Sequence, residues 1–227
     1  MVGLENMVPS IPPLLSVSKK LSRSLQSILS IRCKSQSKMR PNWLVVGLCG
    51  VTNSGKTSLA KALQARYPGA HYICQDSYFR PVTWPGHVYV PEVDHFNWDV
   101  MSALDMETMV KDVHQLVDGE PEGSEQGILI LDGFLLLCHQ EISEMCNIKV
   151  YIDLEYEEVK RRRDTRSYDP PDPPGYFDKI VWPESRVVRE KIISTFSREL
   201  LLLNGKDPVE TNTDKISVKM NALLKSS

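Results

Sequence analysis

The chain contains no run of about 18 apolar residues, so a membrane-spanning helix is not expected. It also lacks an excess of either charge. Its 27 Lys and Arg against 29 Asp and Glu leave a net charge of −2, which gives no global case for binding nucleic acid or a membrane surface. Cysteine is scarce and unpaired in pattern. The five thiols, Cys33, Cys49, Cys74, Cys138 and Cys146, form no C-x-x-C pair, and their odd number argues against a closed disulfide framework. Reduced, mostly buried thiols in a reducing compartment are the expectation. No internal repeat is visible, which argues against a solenoid or propeller.

The first forty residues lack something else: acids and aromatics. Glu5 is the single acid there, and no ring is available to stack on bases, so a nucleic-acid role for this segment is disfavoured. The segment is instead Ser-rich and basic, with an apolar series from Leu14 to Ile31 that suits one helical face. That composition fits a disordered extension or a mitochondrial transit peptide. The reading is therefore a basic, Ser-rich extension over 1–40 and a kinase-like domain over 41–227. The compartment is cytoplasmic, or mitochondrial if the extension is a transit peptide.

What the rest contains is 41% hydrophobic and 25% charged residues, ordinary for one α/β domain with a real core. Apolar runs at Trp43–Cys49, Ala70–Cys74, Ile128–Leu131, Ile148–Leu154 and Leu200–Leu203 read as strands. Helical patterns follow to Arg66, over Met101–Val117, Glu155–Arg166, Glu184–Arg198 and 214–225. Residues 80–98 read as an ordered loop rich in Pro, Gly and aromatics. Residues 167–183, with five prolines and a glycine, read as neither helix nor strand. Strand and helix alternating with short turns predict a parallel sheet covered on both faces.

The strongest local signal follows the first apolar run. Gly50-Val51-Thr52-Asn53-Ser54-Gly55-Lys56-Thr57 fits G-x-x-x-x-G-K-[ST], with a strand before it and an amphipathic helix after it. A tight glycine turn at a helix N-terminus aims several backbone N–H groups at one anion. Lys56 adds charge toward the β- and γ-phosphates, and Thr57 offers a hydroxyl to Mg²⁺. With Ser58 these residues predict a P-loop for ATP. Asp132, at the end of Ile-Leu-Ile-Leu, is the candidate acid on the metal side. Its bland reading is a turn before Gly133.

Phosphoryl transfer to an alcohol needs a base near the hydroxyl and groups that hold the acceptor in line. Asp76 follows the second strand on the same sheet edge as the P-loop and is the candidate base, close also to Mg²⁺. Capping of the turn at Ser77-Tyr78-Phe79 is its bland alternative. Asp99 has the chemistry to grip a ribose diol, and Trp98 to stack on a flat cationic ring. An N-cap and a core Trp are the bland readings of those two. The run Lys160-Arg161-Arg162-Arg163-Asp164-Thr165-Arg166 packs five cations into seven residues. Helical spacing would put Arg162 and Arg166 on one face, able to close over transferring phosphates. Residues 167–183 would then form a mobile lid that excludes water.

These residues together resemble the nicotinamide riboside kinases. The resemblance spans about 43–205 and rests on the Thr-Asn within the P-loop, Gln75-Asp76, Trp98-Asp99-Val100 and Gly133-Phe134-Leu135-Leu136. It rests also on Lys160 to Tyr168 and the Pro170 to Pro183 string. It implies a uridine-kinase-like P-loop fold and an ATP-dependent ribosylnicotinamide kinase that makes the mononucleotide in NAD salvage, with nicotinic acid riboside also accepted. By position, Asp76 is implied as proton acceptor and substrate contact, with Ser77, Tyr78 and Phe79 beside it. Thr57 and Asp76 are implied at Mg²⁺. Trp98 and Asp99 are implied at base and ribose, Arg163 at substrate, Arg162 and Arg166 at nucleotide. Tyr168 and Asp169 fall at the site mouth, and Lys206 and Asp207 at the adenine-side loop.

Three positions depart from the family's usual residues. Ser77 stands for Asp, Trp98 for Tyr and Asp132 for Glu. Two other readings remain at this stage. One is a uridine/cytidine-type nucleoside kinase, which shares the cradle but not the 170–183 string. The other is a catalytically silent P-loop binding protein. The expected partner is a small molecule, with no nucleic acid or membrane, in a monomer or weak homo-oligomer.

Overall fold

The structure is a computed structural model and describes residues 42–122 and 126–224. The expectations for residues 1–40 lie outside the described residues. Among the described residues no helix is long and apolar enough to cross a membrane.

Five parallel strands form one sheet: β1 (Trp43–Gly50), β2 (His71–Cys74), β5 (Gly127–Gly133), β6 (Ile148–Asp153) and β7 (Leu200–Asn204), in the order β2-β5-β1-β6-β7. A small antiparallel pair, β3 (Tyr89–Val90) and β4 (His95–Phe96), stands apart. The helices are α1 (Lys56–Arg66), α2 (Met106–Val117), α3 (Gln140–Met145), α4 (Tyr156–Arg163), α5 (Trp182–Phe196) and α6 (Val209–Leu224).

Side chains alternate across a strand, and β1 uses both faces. Leu44, Val46 and Leu48 pack with Leu59 and Leu63 of α1 and Ile216 and Met220 of α6. Trp43, Val45 and Cys49 pack with Met109 and Val113 of α2, Ile142 of α3 and Ile192 of α5. All eight residues of β1 are buried, as expected of a central parallel strand. The parallel register brings the C-terminal ends of all five strands to one edge. The P-loop leaves β1 there, Asp76 follows β2, and Asp132 lies within β5. Burial pushes the thiols of Cys49 and Cys146 up to about 12, which keeps both inert.

Four sequence readings need correction. Helix α2 starts at Met106, not Met101, because the Asp105 side chain caps it by accepting from Thr108 N at 3.2 Å. Helix α6 starts at Val209, five residues early, after Pro208. The short helix α3 lay unseen between two strands. Residues 167–183 are only half irregular: Phe177–Val181 form a π-turn that runs into α5. Tyr176, Phe177 and Val181 are buried there against Val51, Leu154 and Val159. Pro183 sits in the first turn of α5, directly after the π-turn.

Candidate active site

A cavity of about 920 Å³ opens at the C-terminal edge of the sheet. Its floor is the P-loop. Gly50 has φ +155°, and a Cβ there would lie 2.4 Å from Ile152 O. Gly55 has φ +96°. Both positions call for glycine, one for close approach and one for backbone shape. Asn53 is also left-handed, at φ 58°. The N–H groups of the first turn of α1 have no acceptor within the helix, which leaves them for an anion. Thr52, Asn53, Gly55, Lys56, Thr57 and Ser58 line the cavity. Lys56 Nζ donates to Val51 O at 3.0 Å. Gly50 and Val51 instead border a smaller hollow next to Asp99, and Ser54 is buried in the loop.

Asp132 is 1% exposed, and one of its oxygens accepts two hydrogen bonds: from Thr57 Oγ1 at 2.7 Å and Tyr72 OH at 3.0 Å. Its carboxylate is thus tied to the P-loop hydroxyl, not to a turn. Gln75, fully buried, holds the next segment by accepting from Leu135 N at 3.0 Å. A Cβ on Gly133 would meet that amide oxygen at 2.4 Å, so glycine is required there too. Asp76 follows Gln75 and lines the cavity. Surrounding protein raises its pKa; Lys56 opposes that, Asp132 adds to it and Arg166 opposes it. Ser77 is exposed and does not line the cavity, while Tyr78 turns away, donating to Asp112 Oδ2 at 2.8 Å. Phe79 does line it and stacks on Phe134, centroids 5.9 Å apart.

Trp98 and Asp99 line the same cavity. Tyr176 OH accepts from Trp98 N at 2.9 Å and donates to Asp99 Oδ2 at 3.3 Å, so one hydroxyl fixes both residues. Asp99 N donates to Asn97 Oδ1, and Asn97 Nδ2 to Glu184 Oε1, at 2.9 and 3.0 Å. Burial pushes Asp99 up to about 6, although Arg163 and the Tyr176 hydroxyl pull it down. The bland reading of Asp99 as a helix cap fails: the cap of α2 is Asp105.

The arginine cluster is arranged differently from its helical spacing. Helix α4 ends at Arg163, so Arg166 lies in the turn beyond it and shares no helix face with Arg162. Both nonetheless reach the P-loop residue Asn53. Arg162 Nη1 donates to its carbonyl at 3.2 Å and Arg166 Nη1 to its amide oxygen at 2.8 Å. Arg163 is 8% exposed, pairs with Asp172 at 2.7 Å, donates to Thr52 Oγ1 at 3.2 Å and lies 4.1 Å from the Tyr168 ring centroid. Asn53 Nδ2 donates to Tyr168 OH at 3.0 Å. The irregular segment that carries Tyr168, Asp169, Pro170 and Asp172 lines one wall of the cavity. Lys206 and Asp207 are not on its lining; they pair with Glu155 and Lys215. The loop they belong to is tied in by Arg162 Nη2, which donates to Gly205 O at 3.0 Å.

Sequence reasoning missed Tyr72, Asp172 and Tyr176 as individuals. Tyr176 and Asp172 sat inside a quoted string with no separate signal, and Tyr72 meets Asp132 only through the β2–β5 pairing.

The AAA domain family matches residues 46–183. Nicotinamide riboside kinase 1 of Mus musculus is 40% identical over 170 residues, covering 71% of this chain and 85% of that protein. The Homo sapiens nicotinamide riboside kinase 1 is 38% identical over 71% of this chain and 83% of its own length. Nicotinamide riboside kinase 2 of Homo sapiens is 34% identical over 81% of this chain and 84% of its own length. With a P-loop, paired arginines and an acceptor wall sharing one cavity, and with identity of this extent, the chain belongs to the nicotinamide riboside kinase family.

Proposed function

We propose that this protein transfers the γ-phosphoryl group of ATP to the 5′-hydroxyl of nicotinamide riboside, giving the mononucleotide and ADP. The observation that carries the reading is that P-loop, Asp76, Trp98, Asp99 and the arginines border a single cavity large enough for two ligands. Trp98 offers a plane to the cationic pyridinium ring. Asp99 accepts from the ribose diol. Asp76 takes the proton of the 5′-hydroxyl as its oxygen bonds to the γ-phosphorus and the bond to the ADP oxygen breaks. Its raised pKa makes it a better proton acceptor than an ordinary carboxylate. Lys56, Arg162 and Arg166 neutralise charge that develops on the phosphoryl oxygens. Residues 164–175 close the cavity against water.

The donor set beside the P-loop suits a hard cation: a hydroxyl on Thr57 and carboxylates on Asp132 and Asp76. These residues would hold Mg²⁺, which supplies charge neutralisation at the phosphates. Among the described residues no group of three or more His, Cys, Asp or Glu side chains is placed to hold a metal unaided. Nucleotide oxygens and water would complete the shell. Like its relatives' names suggest for them, the partner is a small molecule; we place the reaction in the cytoplasm.

The test is a side-by-side assay of purified protein with ATP, Mg²⁺ and either nicotinamide riboside or uridine, read by product mass. A kcat/KM at least about 100-fold higher for the pyridinium riboside is expected, from the stacked cation and its held ring. Equal or faster turnover of uridine overturns the substrate assignment.

A further inference from the structure

A stacking plane is useful only when its tilt is fixed. An indole has a single polar handle, the ring N–H, and no acceptor. In Trp98 that N–H is engaged: Nε1 donates to His95 Nε2 at 3.3 Å. His95 comes from β4, paired opposite Val90 of β3, and its ring meets Tyr176 edge-on with centroids 5.1 Å apart. Tyr176 is the residue that accepts from the Trp98 backbone N–H. The indole is therefore held at its backbone end by Tyr176 and at its ring end by His95. His87 and Phe79 pack against it, with centroids 4.5 and 5.9 Å away.

We propose that His95 is a positioning residue for the riboside: with its proton on Nδ1, it accepts the Trp98 indole N–H and fixes the plane on which the pyridinium ring stacks. The inference deepens the proposed function and rests on it. A tyrosine at position 98 would have no such ring N–H, so the device belongs to the tryptophan. Protonated His95 has no free lone pair, so the bond is lost. It also brings a positive charge behind the plane that receives a cation. Nicotinic acid riboside, whose ring carries a compensating carboxylate, suffers less from that charge. The titratable groups packed around the pair are His87, Tyr176 and Asp99, with Asp94 next to His95 in the chain and paired with Tyr89.

Steady-state kinetics on His95→Phe and His95→Gln, each in Trp98 and Trp98→Phe backgrounds, test it. His95→Phe removes the acceptor and should raise KM for nicotinamide riboside about 3- to 10-fold, the worth of one neutral hydrogen bond, with kcat nearly unchanged. His95→Gln keeps an acceptor and should restore KM. In the Trp98→Phe background His95→Phe should add nothing. Unchanged KM in His95→Phe, or an equal rise in both backgrounds, overturns the proposal. A second readout needs no substrate. In a His87→Gln background at fixed pH, the emission assigned to Trp98 by subtracting Trp98→Phe should shift in His95→Phe, which frees the indole N–H, and return in His95→Gln, which keeps an acceptor. Emission that ignores the His95 substitution overturns the pairing. Absence of any phosphorylation of nicotinamide riboside would instead sink the functional reading, with the emission still deciding the pair.

Discussion

Asp99→Asn should make the protein more stable and less active. Burial raises the Asp99 pKa from 3.8 to about 6 despite Arg163 and Tyr176. A carboxyl with a raised folded pKa stabilises the fold fully below the unfolded pKa, and that contribution is lost as pH rises through about 6. Above about pH 7 the folded state therefore carries a penalty. A shift of about two units corresponds to about 3 kcal/mol as an upper figure. The side chain keeps one face on the cavity and Asn can still accept from Tyr176, so about 1–3 kcal/mol is the expected gain. For a domain of this size that is a rise in Tm of about 4–8 °C at the midpoint of the range. Riboside binding should suffer in the opposite sense. Exchanging the charged acceptor of a diol for an amide should cost about 100-fold in kcat/KM. The assay is thermal and urea unfolding of both proteins from about pH 4 to 8. The stability difference should be near zero at the acid end, open between about pH 4 and 6, and stay level above. A variant less stable than wild type at the alkaline end, with a gap that ignores pH, would refute the reasoning.

Other substitutions probe separate parts of the site. Asp76→Asn removes the proposed proton acceptor, so it should bind ATP normally and lose about 1000-fold or more in kcat; nucleotide titration together with turnover checks both halves. Gly50→Ala should destabilise the fold by about 1–3 kcal/mol and weaken ATP binding, since the new Cβ meets Ile152 O at 2.4 Å; urea unfolding and ATP titration report it. Asp132→Ala strands the hydroxyls of Thr57 and Tyr72 and should cost about 2 kcal/mol or more, with a higher Mg²⁺ requirement; unfolding and a Mg²⁺ titration of activity measure it. In wild type, kcat/KM for the riboside should fall as pH drops through about 6, where Asp99 takes up a proton and can no longer accept from both hydroxyls; the profile in Asp99→Asn should lose that limb.

Much of the fold was legible because local patterns carried it. The five strands are apolar runs, the central ones buried on both faces by parallel pairing, and the P-loop announces itself by residue type and spacing. The N-termini of α2 and α6 were misjudged because Asp105 and Pro208 outrank apolar periodicity as start signals. The half-helical nature of 167–183 was hidden for a different reason. Four prolines crowd its first half, while Tyr176, Phe177 and Val181 gain their helical turn from burial against Val51, Leu154 and Val159. Within the site, the P-loop residues could be found from spacing, and those that hold other side chains could not. Tyr176 reaches Trp98 and Asp99 from 78 and 77 residues away, so only the fold reveals it. Asp172 meets Arg163 from nine residues away and His95 meets Trp98 from three, but those contacts depend on side-chain orientations that no spacing rule announces.

The central claim is that one cavity brings a ribose 5′-hydroxyl to Asp76 and the γ-phosphate to the P-loop. Phosphorus NMR of the product from ATP, Mg²⁺ and nicotinamide riboside tests it most directly. The account predicts a single phosphomonoester coupled to the 5′-methylene protons, formed by wild type and nearly absent with Asp76→Asn. A phosphoryl group on another hydroxyl, inorganic phosphate as the sole product, or undiminished turnover by Asp76→Asn would contradict it.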